Sequence, residues 1–443
     1  MPKKTYHKPG NPDFRRHRSV PGPVNRTIEQ RLFEMLSPGT FASLKSVSNK
    51  GRRLRERTLT LPVMTAIVLS LVYRQMTGLS EVLRTLEQEG LFWVKAQRIS
   101  KQALSQRLQS LPAHLFASLL EQVIERLNQS SAPGEVSPFW RPVRSKFPAI
   151  WLADGSTLEA LKKKLHRHRG KKATSPLAGK MMMMVDAFNH RPQAAWYSPE
   201  AQSNDKLWTD SLLERLPKGG LMVFDLGFFK FPWFDAFSDS GKFFVTRLRE
   251  KTAYKNLKVL GQNRYVRDEL IDLGQYRSNP CHHPVRLVSV SWEGTIYRYL
   301  TNVTDPEVLS ARYVSELYRQ RWRIEEAFLV TKRLLGLAYL WVGGSNGIEI
   351  QIYATWIFYA VLTDVCSQVS EALHEPIDRI SQEMVFRSLY FFSRAREQGR
   401  VEDDELIPFL VQYAQSFGLV KARRKRQRKK DAISRQVWSH PLT

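Results

Sequence analysis

The sequence predicts an α/β protein: a mixed sheet with buried central strands, flanked by helical segments and interrupted by a β-rich stretch. Three observations point there. Short apolar runs, "AIWLAD", "GKMMMMVDAF", "QAAWYS", "GGLMVFDLG" and "GKFFVTRL", punctuate residues 140–249 around a helical "NDKLWTDSLLERL". Strands followed by a helix and another strand indicate a mixed sheet with buried central strands. The alternating segments "PVRLVSVSW" and "TIYRYLTNV", bounded by turn residues, mark 250–303 as a small antiparallel module. Helical patterning governs residues 58–130 and returns from 308 to 418.

Taken in order, residues 1–57 carry 14 Lys/Arg against four acids and read as a basic arm with a first helix near "TIEQRLFEMLS". Residues 58–135 hold "LPVMTAIVLSLVYRQM", "LSEVLRTLEQEG" and "ISKQALSQRLQSL", with Ser80 and Ser100 where N-caps belong and Gly90 where a helix would end. Two short helices before an exposed Lys/Gln/Arg helix suit a DNA-binding domain of helix-turn-helix type, and an ordinary helical bundle fits equally. "SSAPGEVSPFWRP" is a turn-rich linker into the core, whose two parts are expected at 140–249 and 304–370. Met181 to Met184 read as a buried strand rather than a metal-binding or flexible surface. Between the first two core strands, "KKKLHRHRGKK" (162–172) looks like a loop facing nucleic acid. Residues 371–443 are a helical C-terminal region closing with "KARRKRQRKK", a basic tail.

At 443 residues the chain suggests two to four domains, and its net charge of +26 points to a polyanionic partner, DNA or RNA first. Two cysteines, Cys281 and Cys366, give no disulfide framework and fit a reducing cytoplasm. The basic start lacks the apolar region of a signal peptide. "GIEIQIYATWIFYAVLTDVC" includes Glu349, Gln351 and Asp364 and reads as a buried helix, not a membrane span.

Two acids end buried strands. Asp154 closes "AIWLAD" before Gly155, and Asp225 closes "LMVFD" two residues before Gly227. A carboxylate there can leave the core, and the glycine lets a ligand approach the backbone. With a third acid from a helix, such a pair makes a hard-oxygen cluster suited to Mg²⁺ or Mn²⁺. Two divalent ions in that setting serve phosphodiester chemistry, while surrounding positive charge holds DNA.

The helix is "YRQRWRIEEAFLVTK" (318–332). Tyr318, Arg321, Glu325 and Lys332 stand at offsets 0, 3, 7 and 14, which at about 100° per residue share one face roughly 60° wide. Glu325 becomes the third ligand, Arg321 and Lys332 hold phosphate oxygens, and Tyr318 hydrogen-bonds or packs beside them. An exposed helix with i,i+4 charge pairs would look similar. "CHHP" (281–284) lacks a second half at zinc spacing and reads as a loop, while Asp186 and Asp205 read as supporting or capping groups.

The spacing Y-x2-R-x3-E-x6-K resembles the signature of insertion-sequence-four transposases, as do "LADGST" around Asp154, "DLGFF" around Asp225 and "FFVTRLREKTAY" after the last core strand. The resemblance implies an RNase H-like core with a DDE triad of Asp154, Asp225 and Glu325, and a β-rich insertion between the last two. It implies cut-and-paste transposition through a hairpin on the transposon end, by a homodimer synapsing two inverted-repeat ends, with two Mg²⁺ ions or Mn²⁺ in their place. The N-terminal region would bind those repeats, and Trp292 of the insertion would stack on a flipped base; a cross-strand aromatic pair is the alternative for Trp292. Two other readings share the residues: a nuclease of this fold without strand transfer, and a DNA-binding protein that has lost catalysis.

Overall fold

The computed structural model describes residues 26–36, 41, 58–76, 78–130, 134–158, 179–337, 340–422 and 436–442. Most of the basic arm, "KKKLHRHRGKK" and the cationic run from 423 lie outside them.

Nine strands form one sheet in the order β3-β2-β1-β4-β5-β9-β8-β7-β6. They are β1 (Ile150–Thr157), β2 (Lys180–Asp186), β3 (Pro192–Ser198), β4 (Leu221–Phe224), β5 (Phe243–Arg247), β6 (Tyr254–Gln262), β7 (Val266–Leu273), β8 (Val285–Trp292) and β9 (Thr295–Thr301). β1, β2 and β3 form an antiparallel meander, while β4 and β5 run parallel to β1. Parallel neighbours require crossovers, supplied by the helices Thr209–Arg215 and Phe231–Asp239. The order 3-2-1-4-5 with β2 and only β2 reversed is the RNase H-like arrangement. The β-rich segment is not a separate module: β9 pairs antiparallel with β5, so the insertion continues the core sheet.

Alternation along β2 explains the methionine run. Met181 and Met183 enter a large core shared with helices, and Met182 and Met184 enter an aromatic core around Phe224, Trp233, Phe234 and Phe244. Both faces are dry, so period-2 alternation divides apolar residues between two cores.

The helices Leu61–Tyr73, Leu79–Gln88, Lys101–Ser110 and His114–Ser130 share the larger core with Ser345–Ala372. The expected N-terminal domain is therefore packed into the body of the molecule. Ser100 caps its helix, accepting from the Ala103 N–H at 3.1 Å. Ser80 does not: the helix starts one residue earlier, at buried Leu79, with the Gly78 carbonyl accepting from Glu81 and Val82. Among the described residues, Ser345–Ala372 alone has the length and composition of a membrane span, and its apolar window is wholly buried.

Candidate active site

Strand register places the two acids. The β1/β4 pairing ends at Ala153 opposite Phe224, and Asp225 follows the end of β4. Asp154, however, does not end its strand as its sequence context predicts, because β1 runs on to Thr157 through its pairing with β2, with Asp154 opposite Met183. Asp154 Oδ1 accepts from the Gly155 N–H at 2.8 Å. Asp225 is extended and precedes a short 3-10 turn, Leu226–Phe228.

The segment carrying Glu325 is not the single α-helix that the spacing predicts. A helix spans Ala311–Gln320, Arg321 is a turn, a second helix spans Trp322–Leu329, and a π-helical turn follows at Val330–Leu334. In that turn the buried Thr331 hydroxyl lies against the Ala327 and Phe328 carbonyls, and the Leu335 N–H reaches back five residues to Val330. The four side chains nonetheless face the strand ends. Tyr318 Oη donates to Asp225 Oδ1 at 3.0 Å, and Arg321 Nη1 donates to Asp154 Oδ2 at 2.7 Å. Arg321 Nη1 also lies 3.8 Å from Glu325 Oε1. Lys332 Nζ donates to Ser156 Oγ at 2.6 Å and the Thr157 carbonyl at 2.8 Å.

These contacts tie the helical segment to the end of β1 and the end of β4. Arg321 and Asp154 are nearly buried, their side chains 11% and 14% exposed, whereas Glu325 is 45% exposed. Burial raises the Asp154 carboxyl from 3.8 to about 7; Arg321 and the Gly155 N–H oppose the rise, and repulsion from Glu325 and Asp225 adds to it. Burial pulls Arg321 down, but Asp154, Asp225 and Glu325 more than offset it and leave its pKa raised. Tyr318 is pushed up by burial and by the Asp225 charge beside it. Three carboxylates thus act on one guanidinium, whose Nε has no hydrogen-bond partner.

A divalent ion suits this donor set: three carboxylates, hard oxygen ligands, and one of them penalised for ionising until a cation compensates it. Among the described residues no three His, Cys, Asp or Glu side chains stand as a ready metal cage. Arg321 supplies the positive charge between them.

The remaining expected residues fall as follows. Trp292 lies at the end of β8 in a two-residue hairpin, opposite Thr295, so no cross-strand aromatic pair forms. Its ring is covered by the Arg319 guanidinium at 5.5 Å. In "CHHP", the N–H groups of His282 and His283 donate to Asp235 Oδ1, and His283 Nε2 lies 2.7 Å from Asp239 Oδ1. Asp186 caps a turn, accepting from the Phe188 and Asn189 N–H groups at 2.9 Å. Sequence reasoning missed the pairing of Lys180 with Asp205, 2.6 Å apart, directly behind Gly155. The signal for it was the pair of glycines at 155 and 227.

The family model for the transposase DDE domain matches residues 145–360. A putative transposase, y4zB, of Sinorhizobium fredii is 26% identical over 158 residues, 33% of this chain and 43% of the relative. A putative transposase for insertion sequence element IS4SA from Synechocystis is 25% identical over 36% of this chain and 46% of its own length. Transposase InsG for insertion sequence element IS4 of Escherichia coli is 24% identical over 38% of this chain and 39% of its own length. The chain therefore spans less than half the length of the curated relatives it matches. A cryo-EM structure of the piggyBac transposase synaptic complex with hairpin DNA is similar at 12% identity and a TM-score of 0.39, covering 92% of this chain and 89% of that one.

Proposed function

We propose, for a chain that carries a transposase DDE domain over residues 145–360 and is a distant homologue of IS4-family transposases, that it cleaves DNA at transposon-end inverted repeats and joins the freed ends to target DNA. The observation supporting this reading most strongly is the convergence of Asp154, Asp225 and Glu325 on Arg321 where the ladder between two parallel strands stops. Asp154, Asp225 and Glu325 would hold two Mg²⁺ ions, or Mn²⁺ in their place. Such ions supply activation of a water or 3′-hydroxyl and stabilisation of the leaving oxygen.

The chain's own groups do the rest. Ionised Asp154 is costly in its buried setting, so Arg321 holds the strand end ready until a stronger cation takes over that charge. Arg321 and Lys332 then present guanidinium and ammonium donors to phosphate oxygens, and Tyr318 keeps Asp225 oriented. Trp292, already seated under a guanidinium, offers a flat face to a base extruded beside the cut. The net charge of +26 supplies the sequence-independent hold on DNA. A homodimer synapsing two ends, a hairpin intermediate and action in the cytoplasm complete the proposal.

The test places the DNA flanking the gene on a plasmid with purified protein and Mg²⁺, comparing wild type with Glu325→Gln. Release of a fragment bounded by the repeats, with wild type only, is expected. Cutting without joining would indicate a nuclease, and tight binding to the ends with no cutting by either protein would indicate a catalytically inactive DNA-binding protein.

A further inference from the structure

A fourth carboxylate lies behind the acid pair. Asp205 opens the short turn Asp205–Trp208, anchored by buried Trp208 in the aromatic core. Its carboxylate fills space that two glycines leave vacant. A Cβ on Gly155 would collide with Asp205 Oδ1, and a Cβ on Gly227 would come within 2.8 Å of Oδ2. Gly155 follows Asp154, and Gly227 is two residues after Asp225. Neither glycine has a positive φ, so backbone conformation does not demand glycine at either position. At Gly227 the wedged carboxylate does, and at Gly155 the carboxylate does so together with Lys180 Cε, 2.9 Å from an added Cβ. Lys180 holds that carboxylate from β2, with Nζ 2.6 Å from Oδ1 and donating to the Ser203 carbonyl at 3.0 Å. Both side chains are largely buried, at 14% and 22% exposure.

We infer that Asp205 is a positioning residue: it sets the spacing of the backbone segments carrying Asp154 and Asp225 and keeps the Lys180 charge away from Asp154. This role rests on the reading that Asp154 and Asp225 hold a divalent ion. The two acids come from strands that pair only up to Ala153 and Phe224. Beyond that point the β1/β4 ladder no longer fixes their separation, and the Asp205 carboxylate packs against both backbones, at Gly155 and at Gly227. Lys180 sits opposite Thr157 across the β1/β2 ladder, so it reaches Asp205 from the same strand end that Lys332 grips from the helical side.

The test uses the full chain and Mn²⁺ alone, with free Mn²⁺ followed by electron paramagnetic resonance and the metal-free unfolding midpoint measured alongside. Asp205→Ala is expected to weaken Mn²⁺ binding about tenfold, as loss of a group supporting a metal ligand does. Asp205→Asn, which keeps the volume and loses the charge, is expected to fall between it and wild type. Gly227→Ala is expected to weaken binding by a similar factor through collision with Oδ2. Because the methyl group then occupies space the carboxylate has vacated, the double variant Asp205→Ala/Gly227→Ala should be no worse than Asp205→Ala. A purely structural role would lower the unfolding midpoint without this non-additive pattern in Mn²⁺ binding. Wild-type Mn²⁺ affinity in both Asp205 variants, or multiplicative losses in the double variant, would overturn the inference while Glu325→Gln still lost binding. Wild-type affinity in Glu325→Gln would instead overturn the metal reading itself, and the role of Asp205 with it.

Discussion

Two Arg–Asp pairs in this molecule differ in what surrounds them. In the insertion, Arg286 and Asp268 are 0% and 1% exposed and joined by two parallel bonds of 2.7 and 2.6 Å. The third arm of Arg286 donates to the Leu309 carbonyl at 2.6 Å, so every nitrogen is used and the charges balance one to one. In the acid cluster, Arg321 makes one bond to Asp154, leaves Nε unpaired and faces two further carboxylates. The first pair is closed; the second is short of positive charge. A closed pair specifies structure, whereas an unbalanced one is poised to take up a cation.

The largest expected effect comes from relieving that imbalance by removing one of its carboxylates. Asp154→Asn, Asp225→Asn or Glu325→Gln should each cut DNA-end cleavage roughly a thousandfold, about 4 kcal/mol of transition-state stabilisation, with binding to the ends retained. A strand-cleavage assay beside a filter-binding assay reads both. Breaking the closed pair should act on stability instead: Asp268→Ala strands Arg286 in the interior and should cost about 3–5 kcal/mol in urea unfolding.

A third effect separates the pairs by pH. The folded chain keeps a proton on Asp154 up to about 7, where the unfolded chain releases it near 3.8. Its contribution to stability is therefore greatest below 3.8 and declines as pH rises towards 7. With a chelator present, Asp154→Asn should match wild type near the low end of this window and exceed it by about 1–3 kcal/mol above the high end, in unfolding at the two pH values. The smallest effect concerns DNA: Lys332→Ala should lower the slope of log K against log salt by about one unit, and Arg321→Ala likewise. An unchanged slope would assign both side chains to the protein contacts they already make.

Local chemistry made some of this legible in the sequence, and long-range packing hid the rest. Asp154 and Asp225 stood out because an apolar run ending in a carboxylate, with glycine close behind, has few uses in a core. Met181 to Met184 read correctly as a strand because four residues of period two can be buried on both faces. Alternation tells which face a residue takes, not which strand lies beside it, so the β5/β9 pairing that fuses the insertion to the core was invisible. For the same reason helical periodicity in 58–130 could not disclose that its partner is Ser345–Ala372. The break at Arg321 and the π-helical turn carry no glycine or proline signal; they coincide with Arg321 reaching Asp154 and with the Thr331 hydroxyl bonding back along its own helix. Asp205 read as a supporting or capping group, but what it supports stayed hidden because that lies in the two glycines it packs against, 50 and 22 residues away.

The most direct measurement is the rise in thermal unfolding midpoint on adding Mg²⁺ above pH 7 for wild type, Glu325→Gln and Arg286→Met. An ion bound only by the folded chain stabilises it by mass action. Binding of the ion among Asp154, Asp225 and Glu325 predicts a clear rise in wild type, the same rise in Arg286→Met from whatever baseline that variant has, and none in Glu325→Gln. Equal rises in all three proteins would contradict it, because the ion would then be bound somewhere other than among Asp154, Asp225 and Glu325.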